Sequence, residues 1–270
     1  MSDPTYRPRS ASEIVDGTFR LYREHFVSFL TLSTLLYLPF IVAMIPMLRA
    51  MQRMAEDPMA IFGAMWPVML ISIFWYPIMW GAMTVAASER YLGRDIDAGE
   101  AVKRAFGKFG TLLGSMLIKW IVIIFGFFLI IPGFYFIARF FAVPATVMFE
   151  NNGVGGALGR SGQLSIGHKG RILGTLVLAW LILFAILIAF SMVMGIVIGV
   201  ATVRSGDAGA NPTSSMLMQL PGTIAYILAL PVIVITETLL YYDARIRHEG
   251  YDIELMNMRL AAAGAGATVR

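Results

Sequence analysis

The residues 237–256, "ETLLYYDARIRHEGYDIELM", mark an abrupt end to a long apolar run. Two tyrosines, Tyr241 and Tyr242, come first, and acidic and basic residues follow at once. Tyrosine is enriched at headgroup depth, where its apolar ring and its polar hydroxyl are both satisfied. The pattern predicts that a helix leaves a membrane here, with the tyrosines at the interface. We expect the charged residues that follow to lie in water or among phosphates: Asp243, Arg245, Arg247 and Glu249.

The composition of the whole chain indicates the same environment. Of 270 residues, 58% are hydrophobic and only 14% are charged, whereas a soluble domain carries about 25% charged residues. We therefore predict an all-α, polytopic membrane protein. No cleavable signal peptide is expected, because the chain is polar up to Phe26, where the first apolar run begins. The absence of cysteine excludes disulfides, thiolate metal sites and thiol nucleophiles.

Six apolar segments have the length of membrane spans, which need about 20 helical residues. The third and fourth segments are separated by little more than Pro132 and Gly133. Proline interrupts the helical hydrogen bonds and glycine can adopt the turn, so a tight hairpin is predicted there. The predicted spans are 26–48, 59–86, 111–131, 133–149, 172–202 and 217–241.

Basic residues are distributed unequally between the two sides of these spans. Sixteen of the 21 lysines and arginines fall in the N-terminal segment, the loops after spans two and four, and the C-terminal segment. Only Arg49, Arg53 and Arg204 fall on the other side. Because cytoplasmic loops are rich in basic residues, we expect a multi-pass protein of the cell (inner) membrane with both termini in the cytoplasm.

A repeated unit is indicated before spans one, three and five. The segments 12–26, 99–113 and, more weakly, 156–171 each place apolar or small residues on one helical face and charged residues on the other. We predict three units, each an amphipathic helix in the headgroups followed by a transmembrane hairpin. The alternative is that all hairpins with basic entrances share this pattern. The predicted domains are a flexible tail at 1–10, a six-helix membrane domain at 11–250 and a cytoplasmic tail at 251–270.

Three charged residues fall inside the predicted spans. Arg139 lies near the middle of the short fourth span, where an unpaired charge costs at least about 2.5 kcal/mol. Glu237, inside the end of span six, is its predicted partner. This ion pair has two interpretations that the sequence does not separate, a structural contact between helices and a substrate site. Lys119 is expected to extend its amine to the cytoplasmic interface.

The cytoplasmic ends of the units carry the remaining candidate site residues. The acids Glu89, Glu150 and Asp243 end the three units, and we expect them at one depth with basic groups within about 6 Å. If the sixth helix continues, Asp243 and Arg247 share a face and Gly250 ends the helix. Arg245 would then point toward the basic loop or a lipid phosphate. The basic residues predicted to contact lipid headgroups are Lys103, Arg104, Lys108, Arg245 and Arg247.

No motif indicates catalysis, a metal or a cofactor. His25, His168 and His248 are not spaced as metal ligands with a neighbour. The glycine-rich segment 153–159 lacks the Gly-Lys-Ser/Thr ending of a phosphate-binding loop and follows a transmembrane helix rather than a strand. We therefore predict no catalytic residue, no metal and no cofactor.

Three stretches resemble a known family. "RSASEIVDGTFRLYREHF", "IIPGFYFIARFFAVPATVMFENNGVGGALGRSGQL" and "LLYYDARIRHEGYDIELM" are similar to the membrane domain found next to some bacterial glycerophosphoryl diester phosphodiesterases. The resemblance covers residues 7–258. In that family the phosphodiesterase activity belongs to a separate metal-binding barrel with a His-Arg-Gly opening, and this chain has neither. The resemblance therefore implies a membrane domain of the bacterial cell membrane and carries over no catalytic residue.

Two functions from different classes follow from these predictions. The first is a non-enzymatic membrane module that binds or organises lipids or partner proteins at the cytoplasmic leaflet. Its expected partners are anionic lipids and a membrane or cytoplasmic protein, and no nucleic acid. The alternative is a small transporter or lipid flippase with a site near Arg139 and Glu237. A lipid-modifying enzyme is a third possibility, and it would have to use Glu89, Glu150 and Asp243.

Overall fold

The long apolar runs form long helices in the computed structural model of the chain. The structure describes residues 7–53, 57, 59–204, 212–251 and 253, and within these ranges it is helical with no β-strand. The predicted all-α fold is thus confirmed. The described helices, in chain order, are α1 (Ala11–Glu24), α2 (Phe26–Gln52), α3 (Ala60–Tyr91), α4 (Ala98–Gly107), α5 (Phe109–Phe127), α6 (Ile131–Arg139), α7 (Val143–Glu150), α8 (Val154–Leu164), α9 (Lys169–Arg204) and α10 (Pro212–Glu249).

Within the described ranges, six helical segments are long and apolar enough to cross a membrane, in agreement with the predicted number of spans. Helices α3, α9 and α10 have 32, 36 and 38 residues. At 1.5 Å per residue, each is about 50 Å long, which exceeds the roughly 30 Å of a bilayer core. The six segments are Phe26–Ala50, Ala60–Tyr91, Phe109–Phe127, Ile131–Glu150, Lys169–Arg204 and Gln219–Glu249.

Helix α10 lies at the centre of the bundle and α9 lies at its edge. In its most apolar window α10 has 72% of its residues buried by protein, whereas α9 has 6%. Helix α10 packs against α1, α2, α3 and α9, so the end of the described chain contacts its beginning. Successive long helices also contact each other, α2 with α3, α5 with α6, and α9 with α10.

The short helices α1, α4 and α8 precede α2, α5 and α9, and they turn their small and apolar residues toward the bundle. Ile14 of α1, Ala101 and Ala105 of α4, and Leu164 of α8 are buried. We predicted that such residues would lie in lipid headgroups. The structure covers them with the protein's own helices, because the same pattern suits either environment. Ser10 caps α1 and also forms a capping box with Glu13.

The fourth predicted span is broken into α6 and α7. The predicted continuous helix is interrupted at residues 140–142, just before Pro144. Ser161 of α8 bridges the break, since its Oγ donates to the carbonyl of Arg139 at 2.9 Å and accepts from the N–H of Ala142 at 3.1 Å. This side chain supplies hydrogen bonds that the interrupted helix lacks.

The turn between α5 and α6 is also built differently from the prediction. Ile130, not Gly133, adopts the left-handed backbone, with φ of 57°. Gly133 instead allows close packing, because a Cβ there would lie 2.7 Å from the Phe127 ring. At the end of α10 the prediction is confirmed, since the helix stops at Glu249 and Gly250 has φ of 63°.

Candidate functional site

The acid at the end of each predicted unit contacts the beginning of the next one. Glu89 of α3 pairs with Arg104 of α4 at 2.9 Å, and Glu150 of α7 pairs with Arg160 of α8 at 2.6 Å. The predicted basic group within 6 Å is therefore present at both acids. The common depth of the acids remains a prediction. We call the end of the bundle that contains Glu89, Glu150 and Asp243 the charged end.

Asp243 makes the equivalent contact to the beginning of the first unit. Its Oδ1 accepts from the backbone N–H of Arg9 at 2.7 Å. Its Oδ2 accepts from Arg247 at 2.9 Å, as predicted for an i, i+4 pair, and from Arg171 of α9. The Arg9 carbonyl accepts from both of these arginines, at 2.9 and 2.8 Å. Asp243 was predicted to be in water, but it is buried, and it joins three parts of the chain.

The two tyrosines of the opening stretch lie inside the protein and not against headgroups. Tyr241 is 0% exposed and Tyr242 is 3% exposed. The Tyr241 hydroxyl donates to Glu150 at 2.9 Å, and the Tyr242 hydroxyl is 2.6 Å from that of Ser88. The pair therefore connects α10 to α7 and to α3. Hydropathy does not distinguish protein neighbours from lipid, so the sequence did not indicate these contacts; the position of the tyrosines at headgroup level remains a prediction.

Most of the predicted headgroup contacts are contacts within the protein. Arg104 pairs with Glu100 at 2.9 Å as well as with Glu89, and these hydrogen bonds raise the pKa of its guanidinium. The Lys108 amine donates to the carbonyl of Val147 at 3.0 Å near the end of α7, and burial lowers its pKa. Lys103 and Arg104 both remain exposed on α4, and Lys103 has no ion pair among the described residues.

Arg245 and Arg247 are also used internally. Arg245 pairs with Glu249 at 2.9 Å and lies 3.7 Å from the centre of the Tyr251 ring. Glu249 also pairs with Arg160 of α8, in the basic segment after the fourth span, and contact of Arg245 with a lipid phosphate remains a prediction. Arg247 belongs to the contacts of Asp243 described above. These two arginines hold the end of α10 in place.

Glu237 has partners other than Arg139. Its Oε2 accepts from the indole N–H of Trp80 at 2.7 Å, and its Oε1 lies 4.0 Å from the Lys119 amine. The predicted ion pair between Arg139 and Glu237 is therefore not formed. Lys119 is buried and does not extend to the interface. The missing pair between Arg139 and Glu237 and the burial of Lys119 have one cause. The Lys119 side chain on α5 lies next to Glu237 of α10.

A cleft of about 370 Å³ opens beside this buried pair. Tyr76 is part of its wall and also contacts Trp80, with 4.9 Å between ring centres. The rings of Tyr37 on α2 and Tyr226 on α10 are in contact, with 5.1 Å between their centres. The wall is half-exposed, so the cleft opens sideways from the bundle. We call it the lateral cleft; it is lined by Tyr37, Phe40, Ser72, Tyr76, Trp120 and Tyr226.

The sequence contained a signal for the lateral cleft that we did not use. Membrane tyrosines concentrate near the two interfaces, yet Tyr76 and Tyr226 stand well inside the predicted spans 59–86 and 217–241. Their hydroxyls need polar neighbours at that depth. Which helices would bring these residues together was not evident from either span alone.

Arg139 lies against α8 and α9 at a different place in the bundle. Its guanidinium is 3.4 Å from the Tyr135 hydroxyl, and the Lys169 amine lies 5.2 Å from the centre of the Tyr135 ring. Gly162 leaves room for Arg139, since a Cβ there would lie 3.3 Å from its Nε. Lys169 was not among the residues singled out from the sequence, because loop lysines are common.

The described titratable residues provide no metal site and one contact between histidines. Within the described ranges, no group of three His, Cys, Asp or Glu residues could hold a metal ion. His168 and His248 form a ring contact with 5.3 Å between centres. Burial and the nearby Arg171 lower the pKa of His168.

The fold defines the class of the protein as an all-α, multi-pass membrane protein. No family model, no curated protein and no solved structure matches the chain.

Proposed function

We propose that the protein is a non-enzymatic membrane module that binds a lipid or another amphiphile, with the lateral cleft as its main binding site. The single observation that carries this proposal is an aromatic cleft with hydroxyl groups that opens from the side of a membrane-spanning bundle. Its volume of about 370 Å³ is in the range of sites for small ligands, roughly 300–1,000 Å³.

The position of the cleft along α10 supports an amphiphilic ligand. Glu237 precedes Asp243 by 6 residues and Tyr226 precedes it by 17. At 1.5 Å per residue, these positions are about 9 and 25 Å from Asp243, which brackets the middle of a bilayer core about 30 Å thick. A ligand that reaches this depth from the side must have an apolar part, and the hydroxyl groups give its polar part a place to bind.

A second candidate function, transport or lipid translocation, is favoured by the buried pair of Lys119 and Glu237. Charged residues within membrane spans commonly mark the path of a substrate. The separation of 4.0 Å is longer than a close ion pair, so a polar ligand group could enter between the two charges. The site of this alternative is therefore Lys119 and Glu237, and Arg139 is no longer part of it.

We further propose that the charged end faces the cytoplasm and that the chain belongs to the phosphodiesterase-associated membrane family. The unequal distribution of basic residues supports the orientation. The stretches quoted above support the family.

The proposal is tested by filling the lateral cleft. Ser72 is exposed in its wall, and Ser72→Trp places a large ring there without removing a described contact other than its bond to the Val68 carbonyl. The measurement is native mass spectrometry of the purified proteins, with an equimolar mixture of phosphatidylglycerol and phosphatidylethanolamine as the probe. We expect the variant to lose most of the lipid that stays bound to the wild type.

The matched control is Ala185→Trp, which adds the same ring to the exposed surface of α9. Its lipid retention should equal that of the wild type. Equal retention by Ser72→Trp would contradict the proposal. A lipid translocation assay on vesicles that contain the wild type or Glu237→Gln tests the second candidate function, transport. A binding module without transport shows no translocation with either of these proteins.

A further inference from the structure

We propose a second binding site, for the phosphate of an anionic lipid, formed by Arg139, Tyr135 and Lys169. The site lies between α6 and the start of α9, away from the lateral cleft. It does not depend on the function proposed above. We call it the phosphate site.

The geometry brings two cations to one tyrosine side chain. The Arg139 guanidinium is 3.4 Å from the Tyr135 hydroxyl, and the Lys169 amine is above the same ring at 5.2 Å from its centre. Among the described residues, no carboxylate lies within the 4.0 Å limit of an ion pair with either cation. This differs from the rest of the charged end, where Arg104, Arg160 and Arg247 each have an acid partner.

Two cations that lie near each other without an acid repel each other. An anion bound between them removes this unfavourable electrostatic energy. A phosphate fits the donors that are present. The planar guanidinium can donate two parallel hydrogen bonds to phosphate oxygens, the amine adds a mobile charge, and the tyrosine hydroxyl can donate a third bond. Lys169 is also the first residue of the 36-residue helix α9, and a helix N-terminus carries partial positive charge.

The surroundings favour a lipid phosphate over a free one. Ile166, in the turn before α9, is 59% exposed, and Ile131 and Phe134 on α6 are exposed as well. These side chains offer apolar surface along α6 and in the turn before Lys169, which an acyl chain can cover and an inorganic ion cannot. Gly162 leaves the space that lets Arg139 lie against α8 rather than extend outward.

The test uses the full chain in detergent with equimolar phosphatidylglycerol and phosphatidylcholine, read by native mass spectrometry. The wild type should retain phosphatidylglycerol in preference to phosphatidylcholine. The double variant Arg139→Gln with Lys169→Gln should lower that preference about thirtyfold, the loss expected for two cations that contact an anionic headgroup. Lys169→Glu is a second variant that should fold, because the described contact of Lys169 is with the Tyr135 ring, and it should abolish the preference.

The matched control removes the same charge elsewhere. Arg20→Gln with Arg23→Gln alters two exposed cations on α1, and the preference should stay within about threefold of the wild type. An equal loss of lipid preference in this control would overturn the phosphate site, because it would show that surface cations in general attract the anionic lipid. Displacement of the lipid by an equal concentration of inorganic phosphate would overturn the lipid as ligand. The cleft variant Ser72→Trp should leave the preference intact, so this proposal and the proposed function can fail separately.

Discussion

The charged end of the bundle and the half beyond it are held together by different means. At the charged end, buried tyrosines and ion pairs connect α3, α7 and α10 to the short helices and to α9. In the other half, α9 leaves most of its apolar surface outside the protein, and the lateral cleft separates parts of α2, α3, α5 and α10. A firmly connected end can hold the helices while the half that contains the cleft stays open to a ligand.

The largest effect concerns which side of the membrane each half faces. Because the chain has no cysteine, single cysteines can be introduced without other changes. We expect cysteines at positions 55 and 208 to react with an impermeant thiol reagent from outside the cell, and those at 100 and 255 to be protected. Positions 55, 208 and 255 lie outside the described residues. The reverse pattern would invert the orientation.

Within the charged end, Asp243→Asn should give the largest loss of stability. The variant leaves the Arg171 and Arg247 guanidiniums beside a neutral amide, and breaking a buried ion pair costs about 3 kcal/mol or more. The free energy of unfolding in mild detergent measures this loss. Asp95→Asn is the control, because the Asp95 side chain is 94% exposed, and exposed pairs contribute about 0–1 kcal/mol. Similar losses in both variants would mean that Asp243 does not join the units.

Beyond the charged end, Glu237→Gln should cost about 2 kcal/mol, because it leaves the buried Lys119 without its acid. The double variant Lys119→Met with Glu237→Gln should recover most of this loss, since a buried pair is often replaced by neutral groups at little cost. The double-mutant cycle is measured by unfolding in detergent. Additive losses would show that the two side chains do not interact.

The smallest effect concerns the pH dependence of the charged end. The pKa of His168 lies below its ordinary value of 6.5, first because of burial and then because of Arg171. The unfolded chain therefore binds more protons than the folded one just below pH 6.5, and stability should fall as the pH drops through that region. His168→Gln should make this decline shallower in thermal unfolding measured from neutral to mildly acidic pH. An unchanged slope would contradict the assignment.

The sequence predicted the features that depend on local patterns. The six spans follow from uninterrupted apolar runs, and Gly250 follows from the need for a left-handed residue after α10. The pair of Asp243 and Arg247 follows from helical spacing alone. Each of these signals is contained in one segment of the chain.

Most of the errors concern which surfaces meet. Tyr241 and Tyr242 have the same hydropathy whether lipid or protein surrounds them, and only the packing of α10 against α3 and α7 decides the outcome. Glu237 had two candidate basic partners, Lys119 and Arg139, and the course of α5 decided between them. The lateral cleft combines residues from four helices, so no single span could indicate it.

The most direct test of the central claim is photo-cross-linking with a lipid that carries its reactive group on the acyl chain, followed by mass spectrometry of the labelled peptides. If the lateral cleft binds lipid, labelling is concentrated at Tyr76 and Trp120, and Ser72→Trp reduces this labelling. Phe184 on α9 is 59% exposed and should be labelled weakly and equally in both proteins. Uniform labelling of all exposed apolar residues, unchanged by Ser72→Trp, would contradict the account.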